Sequence, residues 1–294
     1  MSWSREIEYR WYEKLAMNII KAGPIPRHVA FIMDGNRRYA RNANIDKKEG
    51  HSRGFEKLTE CLQWCLDVGI KEVTTFAFSI ENFKRSDDEV SALLGLAREK
   101  IDKLLEEEDK LKEKGVCVRV IGNLTLLPTD LQTIIARAVL ATENNNQSFL
   151  NIAISYTSRD EITKSFQTII EADDDLEAED IDEELIEKCL YTRNSPPPDL
   201  LIRTSGENRI SDFLMWQISG TALYFSNILW PALTLWHFLY GVFYYQRFSI
   251  RKPESRLADR HESKKQRSDR VENFLKKVDS KRRQYLVDLI KSNE

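Results

Sequence analysis

Six short runs along the chain are almost continuously apolar: HVAFIM (28–33), EVTTFAFS (72–79), VCVRVIG (116–122), LNIAISY (150–156), DLLIR (199–203) and ALYF (222–225). Runs of this kind fit strands covered on both faces better than the strict alternation of a half-exposed sheet. Longer segments with helical spacing lie between them, at about 50–68, 87–114, 128–144, 158–172 and 182–190. Repeated strand-then-helix alternation predicts an α/β fold, a central and mainly parallel six-stranded sheet with helices on both sides.

The two ends of the chain read differently. Trp3, Ile7, Trp11, Leu15 and Ile19 recur every four residues before Gly23 and Pro24, which predicts an N-terminal amphipathic helix over 1–23. Such a helix docks on its own domain, or lies in a membrane surface or against a partner, where its two Trp suit the boundary. Residues 213–246 hold no Asp, Glu, Lys or Arg. Pro231 and the polar Ser219, Ser226 and Asn227 break the stretch, so it falls short of the ~20 residues of a bilayer crossing. A buried strand and then a core or interface helix is the better reading. From 251 to 294 Val271, Phe274, Leu275, Val278, Tyr285, Leu286 and Leu289 sit at helical intervals among many charges, predicting a charged helical tail, solvated or touching a partner or an anionic surface. The main α/β domain is placed between these ends, at 24–250. Its acidic segment, 171–187, carries eleven Asp or Glu and reads as a solvated connection.

Charge sharpens this division. The 294 residues carry a net charge of −3, yet residues 247–294 hold fifteen Lys or Arg against eight Asp or Glu. The tail is therefore basic and the body acidic, which speaks against broad nucleic-acid binding while allowing a local cationic site. The N-terminus mixes charges into its apolar positions, unlike a secretory signal. Cys61, Cys65, Cys117 and Cys189 have neither zinc-site nor redox spacing and read as reduced thiols in a cytosol-facing protein.

Ligands in parallel sheets gather at the carboxyl ends of strands, and three such ends here are rich in chemistry. After the first strand comes MDGNRR, with Asp34, Gly35, Asn36, Arg37 and Arg38. A carboxylate there supplies an oxygen ligand for Mg²⁺, whose other ligands are water and substrate phosphate. Gly35 lets backbone N–H groups approach an anion, and the arginines add planar donor forks. FSIENFKR contributes Ser79, Asn82 and Arg85, and RTSGENRIS contributes Arg203, Arg209 and Ser211. Five arginines outnumber what one phosphate requires and point to two polyanionic groups side by side. The apolar helix faces, with Leu58, Leu62 and Cys65 on one and Leu93, Leu96, Ile101 and Leu104 on another, read as core that also leaves room for a long hydrocarbon.

Taken together, HVAFIMDGNRRYA, EGHSRGFEKL, FAFSIENFKR, IRTSGENRISDFLMWQ and LYFSNILWP resemble the cis-prenyltransferase family over roughly residues 24–250. IIKAGPIPRHVAFIMDGNRRYA and KCLYTRNSPPPDLLIRTSGE resemble its eukaryotic, dolichol-forming catalytic subunits. The resemblance implies Mg²⁺-dependent elongation, in which isopentenyl diphosphate adds repeatedly to an allylic primer such as farnesyl diphosphate with cis geometry. It implies that Asp34 holds the metal on the diphosphate and is catalytic. Gly35, Asn36, Arg37 and Arg38, with His51, grip the allylic diphosphate. Arg38, Ser79, Asn82, Arg85, Arg203, Arg209 and Ser211 serve isopentenyl diphosphate.

The chain also departs from the family. Ala222 stands where single-subunit bacterial members carry a metal-binding Glu, Lys47 stands where Arg is usual, and no Arg-x-Gly element follows Phe248. These departures resemble the eukaryotic subunit that works with a Nogo-B-receptor-like partner, implying a heteromer held peripherally on the cytosolic face of the endoplasmic reticulum membrane. A non-catalytic partner subunit is the alternative, and retention of Asp34 with all five arginines weighs against it. A nucleotide-binding α/β protein fails for want of a glycine-rich fingerprint or a Walker lysine.

Overall fold

A computed structural model describes residues 7–172, 176–251 and 269–292. Six strands, β1 (His28–Ile32), β2 (Glu72–Ser79), β3 (Val116–Ile121), β4 (Ser148–Tyr156), β5 (Leu200–Arg203) and β6 (Ala222–Phe225), form one sheet in the order β3-β4-β2-β1-β5-β6. Every pairing is parallel. Burial alternates between the two faces of these strands, as a period of two requires. Val29, Phe31, Leu200 and Ile202 enter one core, and Ala30, Ile32 and Leu201 enter the other.

The larger core lies under α1 (Trp11–Lys21), α3 (Lys47–Val68), α4 (Asp87–Glu106), α6 (Thr129–Thr142) and α9 (Leu235–Arg251). The predicted helix 87–114 is two helices, because Glu107 leaves helical geometry at φ −103° and α5 (Glu108–Glu113) restarts after it. A short helix that the apolar pattern did not signal, α2 (Asn36–Asn42), begins directly behind Asp34. On the opposite face lie α7 (Ser158–Ile170) and α8 (Glu183–Cys189). The tail helix α10 (Asp269–Lys291) buries Val271, Phe274 and Val278 against Ile169, Leu185 and Cys189. The described part of the tail is thus docked, not fully solvated, and Arg193–Asp279 and Arg283–Glu143 pairs at 2.7 and 2.8 Å fringe the contact.

The N-terminal helix differs from the sequence expectation in extent and orientation. It starts at Trp11, and Tyr9 before it donates to Asp67 at 2.5 Å; Trp3 lies outside the described residues. Met17 and Ile20 dock it, while Trp11, Leu15 and Ile19 face outward at 76, 51 and 64% exposure. Within the helix the four-residue repeat therefore marks the outer stripe, whereas Ile7 before it packs on the core. The core-facing positions lie on the other side of the same helix.

The four cysteines are buried free thiols. No helix among the described residues is long and apolar enough to cross a membrane. Residues 213–246 instead supply β6 and most of α9, whose Phe238 and Val242 are fully buried.

Candidate active site

The chain runs from β1 to β2 on one side and reaches β5 on the other, so the crevice beyond β1 and β5 is a switch point of the sheet. Ile32 pairs with Arg203 there, which sets Asp34, two residues on, against the end of β5. The Asp34 backbone is clamped by Thr204, whose hydroxyl donates to its carbonyl at 2.8 Å, and by the Trp230 N–H at 3.0 Å. Its Oδ1 accepts the Gly35 N–H at 2.7 Å and its Oδ2 accepts from Arg203 at 2.9 Å, with Arg38 at 3.8 Å. Burial alone would raise the Asp34 pKa, but Arg203, the Gly35 N–H and Arg38 outweigh it and hold the carboxyl below its ordinary range. The group is therefore a carboxylate at neutral pH.

Arg203 is nearly fully buried. Besides Asp34 it donates to the Arg209 carbonyl and, at 2.7 Å, to the Ser211 hydroxyl. Its fork thus ties the end of β5 to its own loop and to β1. Gly35 caps α2 with φ 104°, a left-handed conformation that also leaves its N–H turned onto Asp34.

The remaining cations are balanced by carboxylates that sequence reasoning missed. Glu89 takes Arg85 at 2.7 Å and Arg37 at 3.5 Å, and Glu207 takes Arg38 at 3.5 Å and pairs with Arg209. Glu89 was visible as the i+4 partner of Arg85, whereas Glu207 carried no signal beyond lying between Arg203 and Arg209. Arg159 and Asp212, paired at 2.9 Å on the rim, were missed too. Ser79 and Asn82 shape their own turn: the Ser79 hydroxyl accepts the Glu81 N–H at 3.2 Å and the Asn82 side chain accepts the Ser79 N–H at 3.0 Å.

All twelve residues singled out from the sequence, Asp34, Gly35, Asn36, Arg37, Arg38, His51, Ser79, Asn82, Arg85, Arg203, Arg209 and Ser211, line one cavity of about 1130 Å³, with Lys47 beside them. Asn36 Oδ1 and His51 Nε2 are buried there without partners. Burial, with Arg85 and Arg37 facing it, lowers the His51 pKa against the opposing pull of Glu89, so the ring is neutral at pH 7. Gly54 allows Asn36 in, since a Cβ there would stand 2.2 Å from Asn36 Oδ1. Behind this junction a second, apolar cavity of about 140 Å³ opens between α3, α4 and the sheet. Ala222 lies elsewhere, fully buried at the start of β6 beside Leu200.

Comparison with known proteins agrees with this geometry. A family model described as putative undecaprenyl diphosphate synthase, a prenyltransferase model, matches residues 32–252. The human dehydrodolichyl diphosphate synthase complex subunit DHDDS is 54% identical over 248 residues, covering 84% of this chain and 74% of the human protein. A tritrans,polycis-undecaprenyl-diphosphate synthase (geranylgeranyl-diphosphate specific) of Thermoplasma acidophilum is 43% identical, covering 80% of this chain and 92% of that protein. The crystal structure of lavandulyl diphosphate synthase from Lavandula x intermedia, in complex with dimethylallyl diphosphate, superposes with a TM-score of 0.71 at 30% identity, covering 76% of this chain and 95% of that one. With the matched region running from the last residue of β1 past β6 and taking in every side chain of the arginine-lined cavity, the chain belongs to the cis-prenyltransferase family.

Proposed function

We propose that the chain is the catalytic subunit of a dehydrodolichyl diphosphate synthase, extending farnesyl diphosphate with isopentenyl diphosphate units in cis geometry to a long polyprenyl diphosphate, the dolichol precursor used in protein glycosylation. The observation that carries this reading is the ionised Asp34, fixed by Arg203 in an arginine-lined cavity that opens into an apolar one. A diphosphate head fits the first and a hydrocarbon tail the second.

Arg37, Arg38 and the N–H groups at the start of α2 grip the allylic diphosphate, with His51 at the entrance to the apolar cavity. Arg85 and Arg209 hold isopentenyl diphosphate beside it, while Arg203 orients Asp34 and Ser211. Ser79 and Asn82 shape the turn that carries Arg85. Cations already aimed at the leaving diphosphate stabilise the charge that builds on it as the allylic C–O bond breaks. Mg²⁺ fits this site: Asp34 offers one half-exposed carboxylate, and a Mg²⁺ ion of this kind takes its other ligands from water and diphosphate. Bound there, the ion neutralises charge on the departing diphosphate. Ala222, buried and without a ligand atom, gives no second carboxylate.

The chain works as a heteromer with a Nogo-B-receptor-like subunit, peripherally on the cytosolic face of the endoplasmic reticulum membrane. The complex-subunit names of its relatives support the heteromer, and the outward stripe of Trp11, Leu15 and Ile19 supports the membrane contact. The test is elongation of farnesyl diphosphate with radiolabelled isopentenyl diphosphate and Mg²⁺, with and without the co-expressed partner. Long cis products only with the partner are expected. Full activity of the lone chain overturns the heteromer, and no incorporation under either condition overturns the catalytic reading.

A further inference from the structure

The loop after β5 holds its chemistry in a shape that its residues do not favour. No glycine stands between Gly206 and Gly220, yet Ser211, Asp212 and Leu214 are left-handed, at φ 57°, 57° and 50°. Asp visits this region at modest cost, whereas Ser and Leu stay there only when their surroundings force them. Ser211 lines the polar cavity and accepts from Arg203 at 2.7 Å. Phe213, two residues on, is fully buried in the second core and stacks on Phe76 with ring centres 4.4 Å apart. The chain thus passes from cavity to core through Asp212.

The start of α7 fixes this passage. One of the N–H groups that a helix start leaves without an intrahelical partner, that of Ser158, donates to the Asp212 carbonyl at 2.8 Å. The Ser158 hydroxyl accepts the Met215 N–H, also at 2.8 Å, and the side chain is 1% exposed. One residue therefore pins the backbone on both sides of Phe213 and Leu214. Arg159 adds a third bond, from its Nε to Asp212 Oδ2 at 2.9 Å. The loop's far end is held from the same helix, where the buried Glu161 accepts the Gln217 amide at 2.9 Å. Arg159 also lies 3.9 Å from Glu81, in the turn after β2 that carries Ser79, Asn82 and Arg85. Among the described residues, the partners of Arg37 and Arg38 are Glu89, Asp34, Ser205 and Glu207, so the clamp bears on one half of the site.

We propose that Ser158 and Arg159 are positioning residues for isopentenyl diphosphate, clamping the turn 211–215 so that Ser211 stays on Arg203 and faces the cavity. The inference rests on the elongation reading above and adds the residues that shape one of its two diphosphate sites. Without the Ser158 hydroxyl the Met215 N–H loses its acceptor, and the turn relaxes toward commoner backbone shapes that carry Ser211 off Arg203. Losing the Arg159 fork does less, because that side chain is 78% exposed and its ion pairs are screened by water.

The experiment uses the full chain with its partner subunit co-expressed, as wild type, Ser158→Ala, Arg159→Gln and Arg159→Lys. Elongation with radiolabelled isopentenyl diphosphate gives kcat and the KM of each substrate, and thermal melts follow stability. Ser158→Ala is expected to raise the KM for isopentenyl diphosphate about 10-fold, the scale of one buried hydrogen bond, with kcat and the KM for farnesyl diphosphate close to wild type. Arg159→Gln is expected to raise the same KM about 2–5-fold, and Arg159→Lys, which keeps the charge on Asp212, less than that. A merely structural role would instead move both KM values together, in step with the melting temperature. That pattern, or an unchanged KM for isopentenyl diphosphate in Arg159→Gln, overturns the proposal, and the surface position of Arg159 keeps this test open if Ser158→Ala does not fold. A larger rise in Arg159→Gln than in Ser158→Ala also overturns it, marking Arg159 as a direct diphosphate ligand. All three leave the elongation reading standing. A wild type that makes no elongated product overturns that reading and this inference with it.

Discussion

At the amino end of the sheet His28 is bonded through both ring nitrogens, to the Pro196 carbonyl and the Thr74 hydroxyl, each at 2.7 Å. At the carboxyl end His51 keeps a buried Nε2 with no partner. The contrast extends to their neighbours. Asn151 donates to Glu72, Thr74 and Ser195 at 2.7, 2.9 and 3.1 Å, and Arg119 donates to the Asn194 carbonyl at 2.8 Å while lying 4.2 Å from the Phe149 ring centre. Those groups spend their bonding capacity on one another, leaving only Asn151 Oδ1 without a partner. Across the sheet, Asn36 Oδ1, His51 Nε2 and Arg203 Nε are buried without partners beside a large cavity. Polar residues of the same types hold strands together where their bonds close on each other, and await a ligand where they do not.

The sharpest way to break this comparison is to delete one anchor at each end. Asp34→Ala is expected to lower elongation by about 10²–10³-fold or more, the loss seen when one pre-aimed charge-stabilising group is removed. Its stability cost stays within about 1–3 kcal/mol, because Arg203 keeps Ser211 and the Arg209 carbonyl. Asn151→Ala is expected to do the reverse, costing about 2–3 kcal/mol by leaving the buried Glu72 short of a donor, with the KM for isopentenyl diphosphate unchanged. Label incorporation and urea unfolding on both variants decide it. Equal loss of activity in the two would mean that the amino-end network also serves the site.

The sequence was most legible where one physical rule acts alone. All six strands were visible because a parallel sheet buried on both faces writes continuous apolar runs, and HVAFIM, EVTTFAFS and ALYF coincide with β1, β2 and β6 to within a residue. Eleven of the twelve site residues were legible because loops at strand ends point their polar groups one way, whereas His51, inside α3, was named only through the family resemblance. Partners that depend on packing were not. Glu207 meets Arg38 only because β1 and β5 are neighbours. Met17 and Ile20 turn α1 inward because they fit α3 and α9, leaving the more regular stripe outside. Helix α2 was missed because seven residues, NRRYARN, are too few and too polar to show a period.

A smaller effect separates the two histidines by pH. Burial lowers the His28 pKa despite the opposing pull of Glu72, the Pro196 carbonyl and Asp199, with Arg119 adding to the lowering. His51 is lowered as well. A depressed imidazole favours the neutral folded form, so its contribution is complete above the unfolded value of about 6.5 and is lost as pH falls through the folded value. Stability is therefore expected to drop on acidification from about pH 7 to pH 5, and His28→Gln, less stable at neutral pH, to show a shallower drop. His51→Gln should leave most of that drop and instead change the acid limb of the KM profile for the allylic primer. Thermal melts and KM measured across pH test this pair, and a drop that His51→Gln flattens as much as His28→Gln would erase the distinction.

The smallest difference comes from exchanging the two basic side chains in opposite directions. Lys47, the first residue of α3, lines the polar cavity with a point charge, whereas Arg119 is a planar fork already engaged by Glu72, Asn194 and the Phe149 face. Lys47→Arg adds donors where a diphosphate still has oxygens to offer, and is expected to lower the KM for the allylic primer about 2–5-fold, the scale of one exposed ionic contact. Arg119→Lys removes donors and ring contact where every partner is fixed, and is expected to cost about 1–2 kcal/mol of stability with no change in KM. The open end tolerates and rewards an added donor because its partner arrives with the substrate, while at the closed end only the buried Asn151 Oδ1 is left to accept one. An unchanged KM in Lys47→Arg would show that the ammonium already meets the diphosphate as well as a guanidinium can, and that the open end is more fully matched at this edge than its unpaired atoms imply.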